Sequence, residues 1–380
     1  MLKENISARF SQDPLQFLDE HFPAGGDAVQ TGRNEYLLGD AVDARMVLRN
    51  DEGRYDEHSD FFHTRYGIFG PRSVQLKIRR GARELVRMHL QGRDRDALST
   101  FIGTHLPSVS DWPDTGNRLA YRFLSPVLLA SDSPPKLRKL LDSIVERAVL
   151  ANARSRQPRW RRMLLQFNTT LVLSKAIEAR QALARDKPMD LLDVVAGSIE
   201  PGQRIDELVE VYLSFLFAIA GSVGFVLAWS LYLSATHPDR DAPPEWLVQE
   251  ALRLWPVAWQ LGRHPTKDHA VSGVNVGTTD EVVVCPYLVH RNPRYWSEPT
   301  SFQPQRWSTP EAWRNPAFIP FGYGPHRCVA ADLSSQLVSA MLGTILASNA
   351  VSIEAHDTRP TVAAAMAPPP FRLTLRPSGR

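Results

Sequence analysis

Only two cysteines occur in 380 residues, and that scarcity excludes a disulfide framework. It fits a reducing, cytoplasmic setting. No run of eighteen or more apolar residues is present, so no transmembrane helix and no membrane association are expected. The opening stretch MLKENISARFSQDP lacks the apolar core of a signal peptide. Charge of one sign is also missing: 44 basic residues stand against 41 acidic ones, a balance that gives no ground for nucleic-acid binding. Repeats and low-complexity tracts are absent. At 43% apolar and 22% charged residues the chain is an ordinary globular one, read as a single domain over 1–380 and as a monomer.

What is present reads mostly as helix, with a small β-rich part. Strand signals gather at NEYLLG (34–39) and from HAVSGVNV through DEVVVCPYLVH (269–290), where β-branched residues alternate with glycine punctuation. The stretch 206–238 is almost wholly apolar, but its acidic opening and its internal Ala-Gly-Ser-Val-Gly predict a central helix buried on most sides. Pro243 and Pro244 suit a first helical turn, and EWLVQEALRLW then runs to Pro256, which stops it. The end, PPPFRLTLRP (368–377), approaches a short strand. Local basic clusters at 77–87 and 154–162 read as solvated faces or as a docking surface for an acidic partner protein.

One loop carries chemistry. FGYGPHRC (321–328) sets two glycines, a proline, a histidine and an arginine before Cys328, and VAADLSSQLVSAMLGTILA (329–347) has helical spacing behind it. A cysteine at or just before a helix N-terminus, with His326 and Arg327 beside it, favours thiolate, the metal-binding form. Gly322 and Gly324 allow a tight turn against something flat. The second cysteine and paired histidines of a zinc site are missing, and His326 is too near in sequence to serve as the base of a nucleophilic cysteine. A metal that needs one protein ligand remains, namely haem iron on a cysteine thiolate.

Phe321-x-x-Gly324-x-x-x-Cys328-x-Ala330 resembles the haem-binding signature of the cytochrome P-450 family, with Ala330 in place of the more frequent glycine. The resemblance implies that Cys328 is the proximal ligand of haem b, that Phe321 packs beside the haem and that Gly324 forms the turn. His326 matches a position that commonly meets a haem propionate. Glu250 and Arg253, spaced i,i+3 and so on one helical face, match the family's Glu-x-x-Arg, and WSEPTSFQPQRW resembles the segment that supplies the third member of that charge network, Arg306. Arg263 in WQLGRHPTKD matches a propionate-pairing arginine. In RSVQLKIRR, Gln75 and Arg79 take the histidine and arginine places of the family's His-x-x-x-Arg. The implied fold is the mostly α P-450 fold, with haem between a long distal helix and the cysteine loop.

The distal helix departs from the family. Its usual Ala/Gly-Gly-x-Asp/Glu-Thr aligns with AIAGS (218–222), putting Gly221 where the acid belongs and Ser222 where the threonine belongs. The acid and alcohol relay protons during oxygen activation, so Ser222 and the bare Gly221 are the catalytic candidates here. Small residues at 218, 220, 221, 222 and 224 keep that surface low, either for a bulky substrate or for close helix packing. Ala218, Val257, Ala258, Leu261 and Met366 are the expected pocket wall.

The resemblance implies a soluble, bacterial-type enzyme that uses dioxygen and two electrons from a ferredoxin and its reductase. Its substrate is expected to be a secondary metabolite or small peptide, hydroxylated or oxidatively cross-linked between aromatic rings. Arg80, Arg83 and Arg87, on one helical face, are candidates for ferredoxin docking. Two rival readings are a peroxygenase driven by hydrogen peroxide, and a haem-binding sensor or carrier without catalysis.

Overall fold

Helix accounts for 55% of the structure, a computed structural model that describes residues 2–22, 27–56, 61–150, 159–183, 185–200, 202–237 and 241–377. Of the basic cluster 154–162, residues 154–158 lie outside the described ones. Contacts divide the chain into two units. The first comprises Met1–His58, Thr236–Cys328 and Pro360–Ala367; the second comprises Ser59–Ala235, Val329–Arg359 and Pro368–Arg380.

The first unit holds most of the strands. Its four-stranded sheet runs in the order Ala28–Gln30, Glu35–Leu38, Glu281–Val284, Leu261–Arg263, with the central pair parallel and the outer pairs antiparallel. Val282, Val283 and Val284 are all buried, as expected of a strand covered on both faces. The segment 269–290 divides more finely than its sequence indicates: His269–Val271 and Val274–Val276 form a separate hairpin, and Pro286–Val289 is a helical turn. The helix Ala41–Arg49 packs on this core. Asp40 caps it by accepting from the Val42 and Asp43 amides at 2.8 and 3.1 Å. The helix Pro244–Leu254 starts at Pro244, as the sequence predicts, and Pro256 follows its end.

The second unit is helical. Its three-stranded antiparallel sheet pairs Asn349–Ala355 with Phe371–Pro377, and that strand with Val109–Trp112. The helix Asp114–Leu128 is its spine. The side of that helix bearing Leu119, Ala120, Phe123, Leu124, Val127 and Leu128 is buried. One continuous helical stretch, Ile205–Thr236, is long and apolar enough to cross a membrane by length and composition, a property the strict count of apolar residues missed. Of its most apolar window 61% is buried inside the protein, which is the central-helix arrangement expected from its sequence.

Candidate functional site

The cysteine loop is built by backbone geometry. Gly322 and Gly324 both have φ of 70°, the left-handed region that glycine enters without steric cost. A Cβ on Gly324 would lie 3.0 Å from the Leu48 carbonyl oxygen and the Arg49 Cα, so the turn sits directly on the end of the helix Ala41–Arg49. A 3-10 turn over Gly324–His326 follows, and the Cys328 amide closes the loop by donating to the Phe321 carbonyl at 2.9 Å. Cys328 is exposed, and the helix Ala331–Ser348, capped by Ala330, begins three residues later. Cys285 is the opposite case: it is buried, and burial pushes its thiol up to about 12. Of the two thiols only Cys328 is open to a ligand.

Leu261 reaches the same loop, its Cδ1 3.7 Å from where a Gly322 Cβ would stand. Arg263 is buried two residues along that strand and donates to the Gly262 carbonyl at 2.6 Å. Met366 and Val257 are brought together by a 2.8–3.0 Å framework: the Met366 amide donates to the Val257 carbonyl at 3.0 Å, and Trp259 Nε1 to the Ala363 carbonyl at 2.8 Å. Ala258 lies half-buried between them in sequence.

Behind the loop, within the same unit, Glu250 and Arg253 are completely buried. The carboxylate accepts five hydrogen bonds: from Arg253 Nε (2.9 Å) and Nη2 (2.7 Å), Arg306 Nε (3.0 Å), Trp307 Nε1 (2.9 Å) and the Gln303 amide (3.0 Å). Arg253 spends its remaining donors on the carbonyls of His290 (3.0 Å), Pro299 (2.6 Å) and Ser301 (2.9 Å). Each of its five N–H groups is thereby used, which a buried guanidinium requires. Burial pulls Arg306 below the usual arginine range even beside Glu250.

His290 joins this network and was not singled out by sequence. Its Nε2 accepts the Ile319 amide at 3.0 Å, which leaves the proton on Nδ1, donated to the Arg253 carbonyl at 2.9 Å. Burial pushes its pKa down to about 3, so the ring is neutral. The imidazole thus ties the Glu250 helix to the segment that enters the cysteine loop.

In the second unit the segment AIAGS is not plain α-helix. Ile205–Phe217 and Gly224–Thr236 are α-helical, but Ala218–Val223 between them is a π-helical turn. Such turns insert one extra residue and recur at functional sites. The periodicity of an apolar stretch carries no sign of it. Asn117, fully buried on the spine helix, donates from Nδ2 to the Ala220 and Gly221 carbonyls at 2.7 and 3.1 Å. Gly221 is buried with room beside it, since an added Cβ would meet only Val149 Cγ1, at 3.9 Å. Ser222 is half-buried. Ser214, Ser230 and Ser234 on the flanking helices return their hydroxyls to carbonyls one turn back, a bond that Ser222 does not make among the described residues. Ala218, at the start of the turn, is half-buried.

The helix Arg72–Gln91 carries the upstream candidates. Gln75 is buried, and its Nε2 donates to the Phe69 and Gly70 carbonyls at 3.0 and 3.3 Å, so its donors are spent on the preceding loop. Arg79 is half-buried one turn on. Arg83 donates to the Val329 carbonyl and pairs with Asp332 at 3.6 Å; Arg87 is bidentate to Glu84 at 2.5 and 2.9 Å.

The family model described as Cytochrome P450 matches residues 245–375, the span holding Glu250, Arg253, Arg306 and the cysteine loop. That span, about a third of the chain, is similar to the cytochrome P450 family. Human cytochrome P450 3A5 is 34% identical over 149 residues, 32% of this chain and 30% of that protein. Cytochrome P450 3A29 of Sus scrofa is 31% identical over 186 residues, 40% of this chain and 37% of that protein. The aligned part is therefore about a third of the length of these curated relatives. The crystal structure of P450 OxyD, involved in the biosynthesis of vancomycin-type antibiotics, matches with a TM-score of 0.72 at 18% identity, covering 95% of this chain and 96% of that one. It establishes the P450 fold for nearly the whole chain.

The match to the P450 family implies a haem-iron thiolate cofactor, and the residues present fit one. The exposed Cys328 closes a loop with two left-handed glycines, Arg263 supplies a buried cation on the adjoining strand, and His326 ends the turn. The family match extends to neither Asn117 nor the π-helical turn, which lie before residue 245. A polar Asn117 interrupting the apolar side of the spine helix is the one sequence signal that pointed there.

Proposed function

We propose that this P450 oxidises a secondary metabolite or small peptide, using dioxygen and two electrons from a separate ferredoxin and ferredoxin reductase. The observation that carries the reading is the Cys328 loop: of two thiols, one is sealed in the core and protonated, and the other closes an exposed turn built on two left-handed glycines. Haem b, when bound, supplies the reductive activation of dioxygen, with the thiolate donating electron density. Cys328 binds its iron. Arg263 and His326 would hold its carboxylates, and Phe321 and Gly324 would shape the loop around it. Gln75 serves the chain instead, because its amide donors are already spent.

The distal segment sets which oxidation occurs. With no carboxylate at Gly221, Ser222 is the side chain that holds a transferable proton, and a phenol on the substrate would be a second source. That favours oxidative cross-linking of aromatic rings as well as C–H hydroxylation. Val257, Ala258, Leu261 and Met366, all in the first unit, offer apolar groups to a substrate. The carbon monoxide difference spectrum of the reduced protein tests the reading: a strongly red-shifted Soret band is expected, and Cys328→Ser should abolish it.

The missing acid also favours a second reading, use of hydrogen peroxide in place of dioxygen and ferredoxin. Turnover with peroxide alone, and none with ferredoxin and reductase, would select it. Product mass then separates insertion, a gain of one oxygen, from coupling, a loss of two hydrogens.

A further inference from the structure

We propose that Asn117 is a positioning residue for the oxidation, holding the π-helical turn that presents Gly221 and Ser222. The proposal rests on the haem-thiolate reading above and deepens it. A π-helical turn shifts the backbone hydrogen-bond register by one residue and leaves carbonyls without their α-helical partners. Asn117 Nδ2 has two protons, and it gives them to the Ala220 and Gly221 carbonyls at 2.7 and 3.1 Å. These are the two residues immediately before Ser222.

The approach is forced by glycine on both sides. A Cβ on Gly224 would lie 2.6 Å from the Asn117 N and Cα and 2.7 Å from its Nδ2. A Cβ on Gly116 would lie 2.8 Å from the Gly224 carbonyl oxygen. Gly116, Asn117 and Gly224 therefore form one crossing that admits no larger residue at either glycine. The spine is held by two further contacts: Arg118 is bidentate to Glu146 at 2.7 and 2.8 Å, and Tyr121 donates to Asp142 at 2.8 Å.

Asn117 Oδ1 is buried and accepts no hydrogen bond among the described residues. A buried acceptor left so costs stability. An apolar residue of similar size would avoid that cost but could not donate to the two carbonyls, so the site favours holding the turn over burying it cheaply. The Gly221 carbonyl also accepts the Gly224 amide, so it is the Ala220 carbonyl that loses its donor without Asn117. Return to the α register would satisfy it, and that rotates one side of the helix against the other by about 100°, one residue's turn. Ser222 would then face a different neighbour.

Asn117→Ala and Asn117→Ser leave nearly the same space and differ by one hydroxyl donor. In the haem-loaded enzyme with its redox partners, Asn117→Ala should lower the fraction of electrons reaching product by about tenfold. Amide exchange in the peptide covering 218–226 should rise about tenfold, while the carbon monoxide spectrum stays unchanged. Asn117→Ser should recover part of both losses. Equal behaviour of the two variants, unchanged exchange, or raised exchange with undiminished coupling would each overturn the proposal. Should Asn117→Ala fail to fold, Asn117→Ser decides alone: lowered coupling with an intact spectrum supports the proposal, and wild-type coupling overturns it. A wild-type protein with no red-shifted band would instead defeat the haem reading, and the catalytic role of Asn117 with it. Exchange would still decide whether Asn117 holds the turn.

Discussion

The imidazole of His290 accepts the amide of Ile319 at 3.0 Å, and through that bond the segment leading into the cysteine loop is fastened to the helix of Glu250. The ring is neutral, with its pKa pushed down to about 3 by burial. In the unfolded chain it would protonate near its ordinary value, so the unfolded state binds the extra proton. The contribution is thus fully present above pH ~6.5 and is lost as pH falls toward 3, by at most about 1.4 kcal/mol per pH unit. His290→Gln removes this titration. Its deficit in melting temperature against wild type should shrink between about pH 7 and pH 5.

Arg253→Lys keeps the charge but loses the planar fork that serves five acceptors. A loss of about 3–5 kcal/mol is expected, because Glu250 and three carbonyls lose partners in a fully buried site. Denaturant melts and the haem content of the purified protein measure it. Near-wild-type stability would show the network to be dispensable.

The two loop glycines should respond differently to alanine. Both pay for a positive φ, roughly 1–3 kcal/mol. Gly324→Ala also drives a Cβ to 3.0 Å from the backbone of Leu48 and Arg49, whereas Gly322→Ala meets only Leu261 Cδ1 at 3.7 Å. Thermal melts should rank Gly324→Ala the more damaging.

Gly221→Asp restores an acid where the family carries one, and the structure has room for its Cβ. Stability should fall, since the gain in helix propensity offsets only part of the cost of a carboxylate at this buried position. If the absent acid limits proton delivery, product formed per electron rises in this variant; an unchanged ratio assigns delivery elsewhere.

Charge reversal at Arg83 and Arg87 separates docking from loop support. Arg87 is held by Glu84 and Gln91 on its own helix, whereas Arg83 holds the Val329 carbonyl, the residue after the cysteine. Arg87→Glu should slow ferredoxin-supported reduction at low salt and leave the ferric spectrum alone. Arg83→Glu should alter both. No effect of either on reduction would place docking on another face.

The sequence made the charge network legible because an i,i+3 pair on a proline-bounded helix fixes which side chains share a face. The cysteine loop was legible because glycine, proline and cysteine constrain backbone and chemistry together. Hydrogen-bond register has no such mark. The small residues of 218–224 are as compatible with an α-helix as with the π-helical turn found, and nothing local to them names Asn117, about a hundred positions earlier. His290 was hidden for the same reason, its partners Arg253 and Ile319 lying 37 and 29 residues away. Gln75 shows the converse: it matched a family position, yet its amide turns to the loop just before it.

The unlike burial of the two cysteines makes the protein its own assay for cofactor loading. A thiol-specific alkylating reagent should add a single adduct to the folded, haem-free chain, at Cys328, while Cys285 stays closed in the core with its thiol protonated. Occupancy of the iron site could then be counted by intact mass, as the fraction of chains that refuse the label.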